Sequence, residues 1–228
     1  ITTAQGYITP ENATTEIPRL IQAAINERRP VHLHLPIDVA MTEIDVSKSF
    51  QPEARDDQDV SHYIQMIEDK LNSAKQPVII TGHEINSFGL HSELEQFVNQ
   101  THIPVAQLSL GKGAFNEENE HYLGIFDGSI AEENVKNYVN QSDAILNIGA
   151  KLTDSATAGF SFEFDIDDVV MINHNYFKMN ETISEQVALP HLIKGLMSIS
   201  YKNKSEFPMY QRPKEHDYQV DHEPLTQA

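Results

Sequence analysis

The chain has 228 residues with 16 basic against 34 acidic side chains, a formal charge of −18, and 39% hydrophobic residues. That is enough apolar material for a core, and it leaves no basic cluster for nucleic acid or an anionic membrane surface. Neither Cys nor Trp is present, which removes disulfides, Cys-ligated zinc, iron–sulfur clusters and a thiol nucleophile, and suits a reducing, cytoplasmic setting.

No apolar run reaches the length of a bilayer span and no basic-then-apolar leader opens the chain. Ile1 in place of Met is expected of a piece cut from something longer. Residues 9–29 carry a helical pattern, with Ile17, Leu20, Ile21, Ala24 and Ile25 at three- and four-residue spacing. Pro18 is expected in the first turn, where its missing N–H costs nothing. Pro30-Val-His-Leu-His-Leu-Pro36 follows as a short strand between two prolines. From Asp38 to Asp59 the chain is polar and irregular, and residues 41–59 read as an interdomain linker.

A second periodic unit opens at Val60. Val60, Ile64, Ile67, Leu71 and Ala74 form one helix face, with Ser61 placed to cap it. Pro77-Val-Ile-Ile-Thr-Gly82 is a buried strand closing on glycine, and residues 91–100 form a helix through Leu94, Phe97 and Val98. Ile103-Pro-Val-Ala-Gln-Leu108 is the next strand and leads to Gly111-Lys-Gly113. A short helix over 132–140, strands at Ala144-Ile-Leu-Asn-Ile-Gly149 and Asp168-Val-Val-Met-Ile-Asn173, and a last helix over 189–199 complete the unit. Residues 201–228 are polar and contain proline, a second linker.

Strands alternating with helices require right-handed βαβ crossovers and a parallel sheet, and short apolar strands closed by glycine need cover on both faces. The fold class is therefore α/β: a Rossmann-like parallel sheet covered by helices over residues 60–200, with a helix–strand piece over 1–40 in front. Ligands of such sheets bind beyond the C-terminal strand ends, where Gly82, Gly111 to Gly113 and Gly149 fall.

Each candidate site competes with a plainer reading. Gly111-Lys-Gly113 follows a strand as a phosphate loop would, but a dinucleotide fingerprint needs a third glycine where Asn116 stands, so a tight turn is the better reading. His32 and His34 share one side of a strand, a spacing that serves a metal, yet no third ligand lies nearby, which favours a face turned to a domain interface or solvent. His83-Glu84 stands at a strand end as an acid/base pair would, with a solvated loop the commoner explanation. Thr153-Asp-Ser155 near Gly159 binds a small polar ligand or, equally, caps a helix or shapes a turn. Glu117, Glu118 and Glu120 read as a solvated loop. There is no Ser/His/Asp order and no nucleophile elbow.

The strings themselves point further. Arg29-Pro-Val-His-Leu-His-Leu-Pro-Ile-Asp-Val39, with Thr9-Pro-Glu-Asn-Ala13 before it, resembles the end of the pyrimidine-binding domain in thiamine-diphosphate enzymes. Gly111-Lys-Gly113 with Tyr122-Leu-Gly124 and Gly128 resembles their middle domain. Ile148-Gly-Ala-Lys-Leu-Thr-Asp-Ser155 through Gly159-Phe160 resembles the decarboxylase branch, specifically the pyruvate/indolepyruvate decarboxylase group of Gram-positive bacteria, and the Arg-Phe-Asp-Asp-Arg type of sequence usual in acetohydroxyacid synthases is missing. Glu223-Pro-Leu-Thr-Gln227 resembles the entry to the diphosphate-binding domain.

The resemblance implies a parent 2-oxo-acid carboxy-lyase (EC 4.1.1 class) that uses thiamine diphosphate and Mg2+, a homodimer or homotetramer in which this stretch joins the pyrimidine- and diphosphate-binding domains. It implies residues 1–40 as the end of the pyrimidine-binding domain, 41–59 as linker, 60–200 as the middle domain and 201–228 as the way into the diphosphate domain. The family's early glutamate, its His-His pair and its Gly-Asp-Gly metal motif have no counterpart here, so no catalytic, cofactor-binding or metal residue is assigned and no cofactor is expected on this piece, which should be inactive alone. The regulatory cysteine of some yeast relatives is also absent. A fragment of an acetolactate synthase or pyruvate oxidase-like carboligase, and a nucleotide-binding regulatory module, are the competing readings. Residues 1–40, cut from another sheet, should pack on the middle domain or pair with a second copy.

Overall fold

The computed structural model describes residues 2–46, 49–54 and 56–202. The Glu223–Gln227 string and nearly all of the second linker lie outside the described residues.

The N-terminal unit is β1 (Ala4–Tyr7), α1 (Ala13–Glu27), β2 (Val31–His34) and the short α2 (Ile37–Ala40). β1 and β2 pair in parallel, Ala4 opposite Val31 and Tyr7 opposite His34. α1 crosses between them and buries Ala13 and Leu20 with Ile8 in a small core of its own, edged by Ala4, Ile17, Val31 and Val39. Pro18 lies inside α1, not in its first turn. The helix begins earlier than the proline suggested because Asn12 ties its entry to the strand. Asn12 Oδ1 accepts the Thr9 N–H at 2.8 Å and Asn12 Nδ2 donates to the Tyr7 carbonyl at 3.0 Å.

The central unit runs α3 (Ser61–Ser73), β3 (Pro77–Thr81), α4 (His83–Phe88), α5 (His91–Thr101), β4 (Val105–Gln107), β5 (Tyr122–Ile125), α6 (Glu133–Asn140), β6 (Ala144–Ile148), β7 (Val170–Asn173), β8 (Tyr176–Met179), β9 (Thr182–Ser184) and α7 (Leu189–Leu196). Its sheet has the order β5-β4-β3-β6-β7-β8-β9. The first five of these are parallel, as the α/β pattern required, while β8 and β9 extend the edge as an antiparallel hairpin. That hairpin and β5 are too short to show as apolar runs in the sequence. α3 is not capped by Ser61. Asp59 Oδ1 accepts the Ser61 N–H at 2.9 Å instead, because the helix already includes Ser61.

Strand alternation divides the core. Ile79, Val105, Leu146, Ile148, Val170 and Ile172 face α3, α5 and α7, which contribute Ile67, Phe97 and Leu192 among others. Val78, Ile80, Ala106 and Ile145 face the other way, toward Val135 and Val139 of α6 and toward Phe162 and Phe164. The cover on this second face is thus one helix and an aromatic loop rather than a helical layer. Phe162 and Phe164 stack at 4.5 Å, a compact way for a loop to shield apolar strands.

The linker is bonded at both ends. Glu53 N–H donates to Gln22 Oε1 at 2.8 Å and Gln22 Nε2 returns a bond to the Glu53 carbonyl at 2.9 Å. Gln58 repeats the device on the central unit, donating to the Gln186 carbonyl and accepting from the Ala188 N–H, each at 2.9 Å.

At the opposite edge of the sheet, His102 Nδ1 and His121 Nε2 lie 2.9 Å apart and join the end of α5 to the start of β5. Burial, seconded by His102, holds the His121 imidazole below its ordinary value of 6.5, with Glu120 working weakly the other way. The unfolded chain therefore takes up this proton first. Stability should be full above about pH 6.5 and fall as the pH drops below it, down to the lowered folded value. Urea unfolding of the chain and of His121→Asn across that window checks this, and the substitution should flatten much of the slope.

Candidate functional site

In an open α/β sheet the ligand crevice lies where the chain reverses its direction of travel. Here that point falls between β3 and β6, since β4 and β5 extend one side and β7 the other. Thr81 and Ile148 are in register at the strand ends, and Thr81 Oγ1 donates to the Ile148 carbonyl at 3.2 Å. Immediately beyond, the crevice is filled by main chain. A Cβ on Gly82 would stand 2.6 Å from Ala150 Cα, and one on Gly111 would stand 2.5 Å from Gly82 Cα. The first amides of α4 are already used: Glu84 N–H donates to the Gly149 carbonyl at 3.1 Å.

A diphosphate needs free amides and no fixed anion beside it. Glu84 opposes both. Only 5% exposed, its carboxylate accepts the His174 N–H at 2.7 Å. The expected solvated loop at His83-Glu84 is therefore a buried structural acid at the head of a short helix. No acid/base pair forms, because α4 turns the carboxylate inward toward the end of β7.

The loops above the crevice are tied together. Ser129 N–H donates to Ser161 Oγ at 2.8 Å, and a Cβ on Gly128 would lie 2.2 Å from the Thr157 carbonyl oxygen. Ser109 N–H reaches Asp127 Oδ1 at 3.3 Å. Gly111-Lys-Gly113 is a tight turn, as its spacing implied, with a single 3₁₀ turn before it. Lys112 Nζ is held by Glu117 at 2.8 Å, and Gln107 Nε2 also donates to that carboxylate at 2.8 Å. Glu117 is thus a paired anchor rather than a freely solvated acid. In an open hollow of about 560 Å³ over His91, Lys112 and Glu117, Lys112 is bonded to Glu117 and His91 to Asn86.

Asp154 caps the turn over Ser155–Thr157, accepting the Ser155 N–H at 2.7 Å, so the capping reading of Thr153-Asp-Ser155 holds. Gly159 and Phe160 both take positive φ just after it, 76° and 58°, which turns the Phe160 ring outward at 55% exposed. His32 and His34 lie on the outer face of β2, where His34 stacks on Tyr7 at 4.7 Å. Among the described residues no group of three or more His, Asp or Glu is arranged to hold a metal ion. No described helix is long and apolar enough to cross a membrane.

One cluster escaped sequence reasoning. His174 and Asn175, just past β7, converge on Glu27 at the end of α1. The available signal was an acid in the last turn of a helix, where the helix dipole disfavours a negative charge.

Residues 64–198 match the model of the thiamine pyrophosphate enzyme central domain. The chain belongs to the thiamine pyrophosphate enzyme family. Among similar members, pyruvate decarboxylase isozyme 2 of Saccharomyces cerevisiae is 26% identical over 82% of this chain and 34% of its own length. Pyruvate decarboxylase of Kluyveromyces marxianus is 24% identical over 95% of this chain and 40% of its own. The crystal structure of benzoylformate decarboxylase from Polynucleobacter necessarius superposes with a TM-score of 0.71 at 19% identity, over 95% of this chain and 42% of that one, and supports the fold. The chain thus spans about a third to two-fifths of the relatives it matches.

The family's cofactor does not fit the described residues of this thiamine pyrophosphate enzyme domain. Its crevice is packed with backbone and carries the Glu84 carboxylate, and no metal-ligand group is assembled. No chemical step is assigned to these side chains.

Two outcomes test this geometry. Gly82→Ala should cost more than about 2 kcal/mol, since backbone must shift on both sides, whereas Gly89→Ala, with open space but φ of 68°, should cost about 1 kcal/mol. Chemical denaturation of both variants measures the difference. Titration with ADP and with FAD should give no saturable binding up to about 1 mM, the affinity expected of a filled crevice. Tight binding of either would show that the crevice opens.

Proposed function

We propose that the chain is the central part of a thiamine-diphosphate-dependent enzyme that converts a 2-oxo acid, of the pyruvate or indole-3-pyruvate class, to an aldehyde and CO2. The observation that carries this is the family match over residues 64–198, taken with relatives that are pyruvate decarboxylases. The string Leu152-Thr-Asp154 with Gly159-Phe160 supports the same branch, and it forms a built feature, the Asp154-capped turn that displays Phe160.

In this reading residues 1–40 complete the pyrimidine-binding domain, 41–59 link it to the middle domain over 60–200, and 201–228 lead to the diphosphate-binding domain. Thiamine diphosphate with Mg2+ supplies the electron sink for the carbanion left by CO2, and segments outside this chain hold it. The parent works in the cytoplasm as a homodimer or homotetramer. The role of these 228 residues is mechanical: they hold two cofactor-binding domains at a set spacing, and they turn over nothing alone.

The filled crevice favours a decarboxylase over a flavin-carrying oxidase or synthase, and it counts against a nucleotide-binding regulatory module. The test compares this chain with the longer protein that contains it, each supplied with thiamine diphosphate and Mg2+ and offered pyruvate, 2-oxoisovalerate and indolepyruvate in turn. The longer protein should release CO2 and the chain should not. Acetolactate as the product would move the synthase reading ahead, and turnover by the chain alone would place a site within it.

A further inference from the structure

Glu27 ends α1, where the helix dipole disfavours a negative charge, and Arg28 and Arg29 follow it directly. Its Oε2 accepts two bonds from the central unit, from His174 Nε2 at 2.5 Å and from Asn175 Nδ2 at 3.0 Å. The His174 side chain is 3% exposed and its ring stacks on Phe88 with centroids 5.1 Å apart. Its backbone is held by Glu84, and Asn175 takes a φ of 50°, so the β7–β8 turn aims both side chains at α1. His174 Nδ1 is buried without a hydrogen-bond partner among the described residues. A buried ring nitrogen without a hydrogen-bond partner costs free energy, and a well-packed interface would avoid it.

Among the described residues, no buried apolar cluster runs from the N-terminal unit into the central unit. The core of the N-terminal unit, Ile8, Ala13 and Leu20, is closed on itself, and the cluster that fills the helical face of the central sheet includes no residue before Val60. Leu35, Ile37 and Met41 remain exposed rather than buried against the central unit. Further bonds run through the linker, at Gln22–Glu53 and at Gln58 with Gln186 and Ala188.

We propose that Glu27 with the His174–Asn175 pair forms a releasable latch that sets the angle of the N-terminal unit on the central unit, with residues 41–59 as the tether when it opens. Opening exchanges the bonds of Glu27 to His174 and Asn175 for bonds to water and lets water reach the bare Nδ1, so the open and closed arrangements lie close in free energy. The latch follows from packing and hydrogen bonding and does not depend on the catalytic reading.

The chain has no cysteine, so two introduced ones, Glu11→Cys on the N-terminal unit and Asn137→Cys on α6, can be spin-labelled and their separation measured by double electron–electron resonance. The distribution should be single and narrow in this background and broaden by about twofold or split with Glu27→Ala. Asn175→Gly, which keeps the backbone turn and removes the amide, should act the same way. Hydrogen exchange in α1 should stay within about twofold of the parent in both variants, since the unit keeps its own core. An unchanged distribution in both variants, a broad one before any substitution, or loss of α1 protection together with the broadening would each overturn the latch.

Discussion

Gly82 lies with its Cα against the main chain of Ala150 and Gly111 at the ends of β3, β4 and β6, and much of the molecule follows from that approach. Because no side chain intervenes, α4 can start at once and bond its second amide to Gly149. That start places Glu84 in the interior, where its carboxylate accepts the His174 N–H. The His174 backbone is then fixed so that its ring, backed by Phe88, meets Glu27 of α1. A contact between strand ends thus decides both that the crevice is closed and where the N-terminal unit is held.

The two faces of the sheet are finished by different means. On one, α3, α5 and α7 give a conventional helical layer built on residues such as Ile67, Phe97 and Leu192. On the other, α6 shares the work with the loop before β7, whose Phe162 and Phe164 stack on each other and approach Phe126. The antiparallel hairpin of β8 and β9 adds to the β7 edge, and Phe177 from it enters the helical-face core. The result is a central sheet packed on both faces, with its ligand crevice filled by main chain.

The N-terminal unit is of another kind. Its parallel two-stranded sheet and single helix bury few side chains, and Tyr7, Leu35, Ile37 and Met41 are left on its surface. Among the described contacts with the central unit are the hydrogen bonds of Glu27 with His174 and Asn175. Hydrophobic burial within the unit keeps its elements together, while hydrogen bonds set its orientation.

The sequence alone determined the α/β class and the strands β2, β3, β4, β6 and β7, because runs such as Val78-Ile-Ile80 and Ala144-Ile-Leu146 are apolar on both faces and closed by glycine or proline. It also identified the helices with clear apolar faces and, through whole strings, the family. It missed β1, β5, β8 and β9, whose few residues are too short a run to stand out, and the short helices α2 and α4, and it misplaced Pro18 and the α3 cap relative to where Asn12 and Asp59 put them. Only the tertiary structure decided that Glu84 is buried, that the crevice is filled, and that Glu27 meets His174, residues 147 positions apart in the chain. Local patterning records which way a side chain faces on its own element. It carries no record of which distant group stands opposite, and both the closed crevice and the latch are made of such pairings.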